Sequence, residues 1–210
     1  MPEYLINKPP GRPVAHFVFA HGAGAPMDHA FMNSIAEGIA SQGIRVTRFE
    51  FPYMAKRRIT GKRGGPGSPK VLLQTWREVV AELNGEIPLF IGGKSMGGRI
   101  ATMVADEQGL EGIVCFGYPF HPPGRSEKLR TEHLASMPLP MLVIQGERDT
   151  FGNKEEVGDY DLAETIEFEW MPDGDHSLKP RKKSGFTEEE NLEAAVQAAA
   201  AFIKKNLPGR

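Results

Sequence analysis

The chain has 210 residues, of which 40% are hydrophobic, enough to bury one large core and marginal for two. Its net charge is −2, so no overall excess of positive charge favours nucleic acid or an anionic lipid surface as a partner. The single cysteine, Cys115, cannot form an internal disulfide, and its apolar neighbours indicate a buried residue in a reducing compartment.

The sequence shows neither a signal-peptide pattern nor an apolar run approaching the roughly 18–20 residues of a membrane span. It also shows no internal repeat or low-complexity tract. We therefore expect a single domain over residues 1–210, located in the cytoplasm, with residues 1–13 forming an edge strand or loop.

Beyond residue 13, apolar residues recur with alternating strand and helix periods. Strands are predicted over residues 15–20 and 44–51, from residue 87, and over residues 109–117, 141–145 and 165–171. Helices are predicted over residues 28–41 and 71–83, from residue 95 to about 108, and over residues 126–136, 154–160 and 188–206. The segment 55–70 is basic and rich in glycine and proline, which predicts a loop. This alternation favours an α/β fold with a mainly parallel sheet, whose reactive loops gather at the carboxyl ends of the strands.

A G-x-S-x-G motif, residues 93–97, lies between the apolar run from residue 87 and an alanine-containing helix. This pattern is typical of a nucleophile elbow, in which the serine occupies a strained strand-to-helix turn that exposes its hydroxyl. The five residues alone are a weak signal, and the strand before and helix after them make it specific. The alternative is a glycine-rich turn with an unreactive serine.

Ser95, Asp149 and His176 each follow the carboxyl end of a predicted strand. A parallel sheet brings such ends to one edge, and the order Ser, Asp, His is that of a hydrolase triad. A histidine can take the serine proton, and a buried carboxylate can fix the imidazole tautomer. Asp149 could instead be a turn residue or helix cap, and His176 a solvent-facing loop residue.

Three other side chains compete for these roles. Glu147 and Asp175 are alternative carboxylates, and His121, in a proline-bounded loop near the same edge, is the alternative base. Lys94 and Arg99 flank the elbow, and neither is assigned a catalytic role.

Two backbone N–H groups are expected to form an oxyanion hole. One belongs to Met96, directly after the nucleophile, and the other to Ala23 in the glycine-rich loop 21–24. His21 is interpreted as a brace for this loop. A phosphate-binding turn is the alternative for the loop, but the spacing of both common phosphate motifs is missing.

The candidate substrate-binding residues are Gly22, Tyr118, His121, Arg57 and Arg58. The basic side chains of segment 55–70 either form a solvated loop or attract an anionic substrate or partner. Met54, Phe120 and Trp170, together with Tyr118, could wall an acyl pocket or belong to the core. No metal-binding pattern is visible, and no cofactor is expected.

With these residues in view, the chain resembles the α/β-hydrolase superfamily and, within it, a small capless group related to dienelactone hydrolase. That group has bacterial members and eukaryotic relatives, one of which is a subunit of a chromatin-acetylation complex. The similar segments are residues 21–24, 48–53, 92–99, 117–124, 145–149 and 174–176. The resemblance implies an α/β-hydrolase fold with a twisted sheet of about six or seven strands, helices on both faces and no large cap.

The resemblance also implies Ser95 as nucleophile, Asp149 as acid and His176 as base. The sequence therefore predicts a serine hydrolase that cleaves a small carboxylic ester or thioester through an acyl-enzyme. The alternative is a binding or scaffold protein that kept the fold without catalysis, because fold alone does not determine function.

Overall fold

The computed structural model describes residues 3–209, which form seven strands and six α-helices. The strands are β1 (Tyr4–Asn7), β2 (Ala15–Ala20), β3 (Ile44–Phe49), β4 (Leu89–Lys94), β5 (Leu110–Phe116), β6 (Met141–Gly146) and β7 (Ile166–Met171). The helices are α1 (Ala30–Ser41), α2 (Pro52–Thr60), α3 (Pro69–Leu83), α4 (Met96–Thr102), α5 (Lys154–Val157) and α6 (Glu188–Lys205).

The strands form one sheet in the order β1-β3-β2-β4-β5-β6-β7. The edge strand β1 pairs antiparallel with β3, and every other neighbouring pair is parallel. The predicted α/β fold with a mainly parallel sheet is therefore confirmed. Because parallel strands end on the same side, the loops that follow β2, β4, β6 and β7 all lie at one edge of the sheet.

Both faces of the central strands are buried. In β2, Phe17 and Phe19 pack with α1 and α6, whereas Val18 and Ala20 pack with α3 and α4 on the opposite face. A strand covered on both sides reads as a continuous apolar run, which is why the apolar runs located the strands in the sequence. Cys115 lies fully buried in β5, on the side of α3 and α4.

The predicted basic loop 55–70 is wrong over residues 55–60, which belong to α2, and over residues 69–70, which begin α3. Pro52 begins this helix with its fixed φ, and Gly61, with φ 67°, ends it in the left-handed conformation that favours glycine. Met54 is the buried residue of this helix. Some of the basic residues of this segment therefore lie on the outer face of a helix, and the others lie in the loop that follows it or at the start of α3.

Other boundaries also differ from the predictions. The helix after Ser95 ends at Thr102 and is followed by turns instead of continuing toward residue 108. The predicted helix 126–136 is a single 3-10 turn, Glu132–Leu134. Since that short turn is the only helix between β5 and β6, no large cap covers the sheet edge in the described chain. None of the helices within residues 3–209 is long and apolar enough to cross a membrane.

Helices α1 and α6 pack against each other through Gly38, where a Cβ would lie 2.7 Å from Cγ2 of Val196. In an isolated helix, Gly→Ala stabilises by about 1 kcal/mol. Here we predict destabilisation instead. Gly38→Ala should lower the free energy of unfolding by about 1–3 kcal/mol, because the added methyl group would collide with the Val196 side chain. Urea unfolding measures this.

The double variant Gly38→Ala/Val196→Ala provides the control, since shortening Val196 opens the space that the new methyl group needs. Gly38→Ala should cost less in the Val196→Ala background than in the wild type. A Gly38→Ala protein as stable as the wild type would contradict this account of the helix contact.

Candidate active site

Ser95 joins β4 to α4 with φ 52° and ψ −117°, a positive-φ conformation that residues with side chains seldom adopt. The glycines on either side allow the turn. A Cβ on Gly93 would lie 2.6 Å from the backbone of Gly97, and a Cβ on Gly97 would lie 2.5 Å from the carbonyl oxygen of His21. The tight approach of strand, loop and helix therefore fixes the turn and directs the Ser95 hydroxyl toward the sheet edge.

An unbroken chain of hydrogen bonds connects Ser95, His176 and Asp149. The Oγ of Ser95 lies 2.8 Å from Nε2 of His176, and Nδ1 of His176 lies 2.8 Å from Oδ2 of Asp149. The carboxylate can only accept, so Nδ1 carries a proton and Nε2 is free to accept the serine proton. The three residues follow β4, β7 and β6, which is how the parallel sheet brings distant chain positions together.

Asp149 is fully buried, and its carboxylate is held by donors besides His176. The backbone N–H of Phe151 donates to Oδ1 at 2.9 Å, and Nε2 of Gln145 donates to Oδ2 at 2.9 Å. Gln145 is in turn fixed by the backbone N–H of Tyr118, which donates to its Oε1 at 2.7 Å. This role of Gln145 is not among the predictions from the sequence, although a polar residue at the end of a buried apolar strand indicates a buried hydrogen-bond partner.

Burial lowers the pKa of His176, and the ammonium of Lys94 lowers it further, whereas the hydrogen bond and charge of Asp149 oppose the shift. The imidazole also stacks on Phe151, with ring centroids 4.1 Å apart. A neutral imidazole near neutral pH is the form that can accept a proton from a hydroxyl.

Lys94, directly before the nucleophile, tethers the loop that carries the imidazole. Its Nζ donates to the carbonyl oxygen of His176 at 2.6 Å, and burial lowers the pKa of the ammonium to about 8, against the opposing charges of Asp149 and Asp175. Gly117, with φ 64°, leaves the space for this ammonium, since a Cβ there would lie 2.7 Å from Nζ. Sequence reasoning assigned Lys94 no catalytic role, and its structural role depends on a contact 82 positions away.

The loop after β2 lies beside Ser95. A Cβ atom added to Gly22 would lie 3.6 Å from the Cβ atom of Ser95. His21 braces this loop: Phe51 N–H donates to its Nε2, and its Nδ1 lies 2.6 Å from the carbonyl oxygen of Gly22. The hydroxyl of Tyr53 donates to the carbonyl oxygens of Gly22 at 3.2 Å and Ala23 at 3.0 Å. Several side chains therefore hold the backbone of this loop in one conformation.

Two backbone N–H groups near Ser95 have no hydrogen-bond partner among the described residues. Met96 is the first residue of α4, where N–H groups have no partner within the helix. Within residues 3–209, neither the Met96 N–H nor the Ala23 N–H donates a hydrogen bond to another protein group. These are the two donors predicted from the sequence.

A cavity of about 320 Å³ opens over Ser95 and His176. This is near the small end of the roughly 300–1,000 Å³ range of ligand pockets. Its lining combines backbone groups of the loop after β2 with apolar and polar side chains, namely Gly22, Ala23, Gly24, Ala25, His29, Phe31, Met32, Lys94, Ser95, Phe151, His176 and Ser177.

Of the predicted substrate-binding residues, Gly22 lines this cavity, and the other four lie outside its lining. Tyr118 is fully buried, and its hydroxyl donates to the carbonyl oxygen of Arg130. His121 is buried with Nδ1 2.9 Å from the carbonyl oxygen of Pro122. Their side chains point into the protein from the loop after β5, a direction that the sequence pattern does not encode.

The two predicted arginines are engaged on α2. Arg57 donates to the carbonyl oxygen of Gly24, and Arg58 bridges Asp28 and Glu50. The charge of Arg58 is thus neutralised by two carboxylates, which leaves little to attract an anionic substrate.

The alternative triad members have other partners. Glu147 accepts from Lys154 and from the N–H of Asp173, and Asp175 accepts from the N–H groups of Ser177 and Lys179.

The other proposed pocket walls also lie outside the cavity lining: Met54 and Phe120 are buried in the core, and Trp170 stacks on Phe168. No group of three potential metal ligands among His, Cys, Asp and Glu occurs in the part of the chain that the structure describes.

Comparison with known proteins agrees with this architecture. A model of the family described as alpha/beta hydrolase domain matches residues 13–204. Dienelactone hydrolase from Anabaena variabilis has a TM-score of 0.74 and 18% identity, over 97% of this chain and 91% of its own.

Two further structures are similar. An a/b serine hydrolase without lid from Xanthomonas campestris has a TM-score of 0.70 and 18% identity, over 99% of this chain and 90% of its own. An alpha-beta serine hydrolase homologue from Coxiella burnetii has a TM-score of 0.69 and 19% identity, over 95% of this chain and 90% of its own. At such low identity, these similarities show the fold.

We predict that the His176 pKa moves in opposite directions in two variants. Asp149→Asn removes the carboxylate that raises it, so His176 should titrate at lower pH than in the wild type. Lys94→Met removes an ammonium that lowers it, so His176 should titrate at higher pH. Histidine NMR titration, with the His176 signal assigned by His176→Gln, measures both.

Lys205→Met is the matched control, because Lys205 pairs with Glu167 on the surface and is not among the causes of the His176 shift. It should leave the titration unchanged. If Asp149→Asn and Lys94→Met shifted the His176 pKa in the same direction, the electrostatic description of the site would be wrong.

Proposed function

We propose that this chain, which belongs to the alpha/beta hydrolase family, is a serine hydrolase that cleaves a small carboxylic ester or thioester through an acyl-enzyme. The observation that carries the proposal is the hydrogen-bonded series from Ser95 through His176 to buried Asp149, with both links at 2.8 Å and the serine facing a cavity. A hydroxyl joined to a neutral imidazole, which a carboxylate orients, is the arrangement that activates serine for acyl transfer.

In the first half of the reaction, Nε2 of His176 takes the Ser95 proton as Oγ attacks the carbonyl carbon. Asp149 keeps the proton of the imidazole on Nδ1 and stabilises the positive charge that develops on the ring. The protonated imidazole then gives its proton to the leaving alcohol or thiol, and an acyl group remains on Ser95. In the second half, His176 activates a water molecule that releases the acid.

The negative charge that develops on the carbonyl oxygen is stabilised by the N–H groups of Met96 and Ala23. Neither donor has a protein partner within residues 3–209, and the loop that carries Ala23 is braced before substrate arrives. Fixed donors need no reorganisation during the reaction, and losing one costs on the order of 2.7–4 kcal/mol of transition-state stabilisation.

Lys94 and Gln145 act in this proposal as positioning residues. Lys94 anchors the His176 loop to the end of β4, and Gln145 donates to Oδ2 of Asp149, the oxygen that also accepts from His176. The small cavity with Phe31, Met32 and Phe151 in its lining supports a compact, partly apolar acyl group as substrate.

Covalent labelling tests the nucleophile. We predict that a fluorophosphonate probe labels the wild type with one adduct per chain, detected by intact-mass spectrometry, and that Ser95→Ala abolishes labelling. Ser177→Ala is the matched control, because Ser177 lines the same cavity without contacting His176 Nε2, and it should label normally. His176→Gln should label at least about a hundredfold more slowly.

An unlabelled wild type, under conditions in which a control esterase is labelled, would contradict the proposal. That outcome would favour the alternative function, a binding or scaffold protein with an inactive triad. Normal labelling of Ser95→Ala would show that another residue is the nucleophile.

Tyr53→Phe tests the oxyanion loop, since it removes the hydroxyl that binds the carbonyl oxygens of Gly22 and Ala23. We expect kcat and kcat/KM for a p-nitrophenyl ester to fall together by about tenfold, because the looser loop weakens a contact made only in the transition state. Tyr4→Phe is the control, since its hydroxyl donates to Glu82. A rise in KM with unchanged kcat would show that Tyr53 acts in substrate binding.

A further inference from the structure

A second cavity of about 560 Å³ lies between the end of α4 and the segment that includes the 3-10 turn. Its lining residues are Arg99, Met103, Leu129, Arg130, Glu132 and His133. None of these residues lines the cavity over Ser95. Although Arg99 follows the nucleophile by one helical turn, its side chain belongs to this separate cavity.

Two guanidinium groups in this cavity have no counter-charge. Elsewhere on the chain, Arg58, Arg77 and Arg148 each contact a carboxylate at 3.1 Å or less. Within residues 3–209, neither Arg99 nor Arg130 forms an ion pair, and Nε of Arg99 is buried without a hydrogen-bond partner. Arginine cannot release its proton, so both positive charges persist. A buried charged donor without a partner is unfavourable, and the Arg99 guanidinium therefore has unused hydrogen-bonding capacity.

The two charges also act on each other. Burial lowers the pKa of Arg130, and the charge of Arg99 lowers it further. The acid in the cavity lining, Glu132, is exposed and lies beyond ion-pair distance of both guanidinium groups. The cavity is therefore an uncompensated region of positive charge in a protein whose overall charge is −2.

His133 adds a third group. The Thr102 hydroxyl donates to the carbonyl oxygen of Arg99 at 2.7 Å, so its oxygen accepts from Nε2 of His133 at 2.8 Å. This leaves Nδ1 of His133 without the proton in the neutral ring. Burial lowers the pKa of His133, the charge of Arg99 lowers it further, and Glu132 opposes the shift. An anion in the cavity would offset the effect of Arg99.

We propose that this cavity binds a phosphate group, as inorganic phosphate or as a small organic phosphomonoester, between Arg99 and Arg130. A single guanidinium satisfies both oxygens of a carboxylate, whereas a phosphate group presents three terminal oxygens and a larger negative charge that suit two neighbouring guanidinium groups. Met103 and Leu129, which is 48% exposed, form an apolar wall beside these donors and fit the organic part of a phosphomonoester.

The inference does not depend on the proposed hydrolase activity, because it uses neither Ser95 nor the cavity above it. The test measures binding of inorganic phosphate and of butyl phosphate by isothermal titration calorimetry at low, constant ionic strength. Arg99→Gln and Arg130→Gln should each weaken phosphate binding by about tenfold or more. Arg77→Gln is the matched control, because Arg77 pairs with Glu107 and lies outside the cavity lining.

Histidine NMR gives an independent measurement, since phosphate bound beside Arg99 should raise the pH at which His133 titrates. Tighter binding of butyl phosphate, lost in Leu129→Ala, would identify an organic phosphomonoester as the ligand. Equal binding of the two compounds would identify inorganic phosphate. Arg130 lies outside the helices, so the loss of phosphate affinity can be measured with Arg130→Gln alone if Arg99→Gln does not fold.

Three results would overturn the proposal. One is the absence of binding of either compound to the wild type at millimolar concentration. Another is an equal loss of affinity in Arg77→Gln and Arg130→Gln, which would indicate non-specific attraction. The third is loss of phosphate binding when Ser95 carries a phosphonate adduct, which would place the anion over the serine instead.

Discussion

The site depends on the backbone turn at Ser95. A residue with a side chain holds φ 52° there because the surrounding packing leaves no other path. Gly93 and Gly97 let β4, α4 and the loop after β2 approach within distances that a Cβ would block. Strain of this kind persists only when the neighbouring structure stabilises it, and the core on both sheet faces supplies that support. Fold and reactivity are therefore linked at one residue.

The second requirement is compensation of buried polar groups. Asp149 is fully buried and accepts from His176, Gln145 and the N–H of Phe151, so its charge is stabilised by three donors. Lys94 places an ammonium near the same carboxylate and donates to the backbone of His176. Each of these groups would be unfavourable if buried alone. Together they hold the imidazole in position, while burial and the charge of Lys94 lower its pKa and favour the neutral ring. The uncompensated guanidinium groups of the second cavity contrast with this arrangement.

Much of this could be predicted from the sequence. Apolar runs gave the parallel strands because both sheet faces are covered, and strand ends located Ser95, Asp149 and His176 at one edge. The rest depends on tertiary contacts. Helix α2 departs from the predicted loop, because its basic outer face masks the signals of Pro52 and Gly61. The inward directions of Tyr118 and His121, and the contact of Lys94 with His176, follow from packing that no local pattern records.

The central claim is that the Ser95 hydroxyl becomes a nucleophile through its hydrogen bond to His176. Rapid mixing with p-nitrophenyl acetate, followed by an acid quench and mass spectrometry of the peptides, tests it most directly. The account predicts an initial burst of p-nitrophenol and a peptide that carries one acetyl group on Ser95, both missing in Ser95→Ala. Turnover of the ester without any acetylated intermediate, or acetylation at another residue, would contradict it.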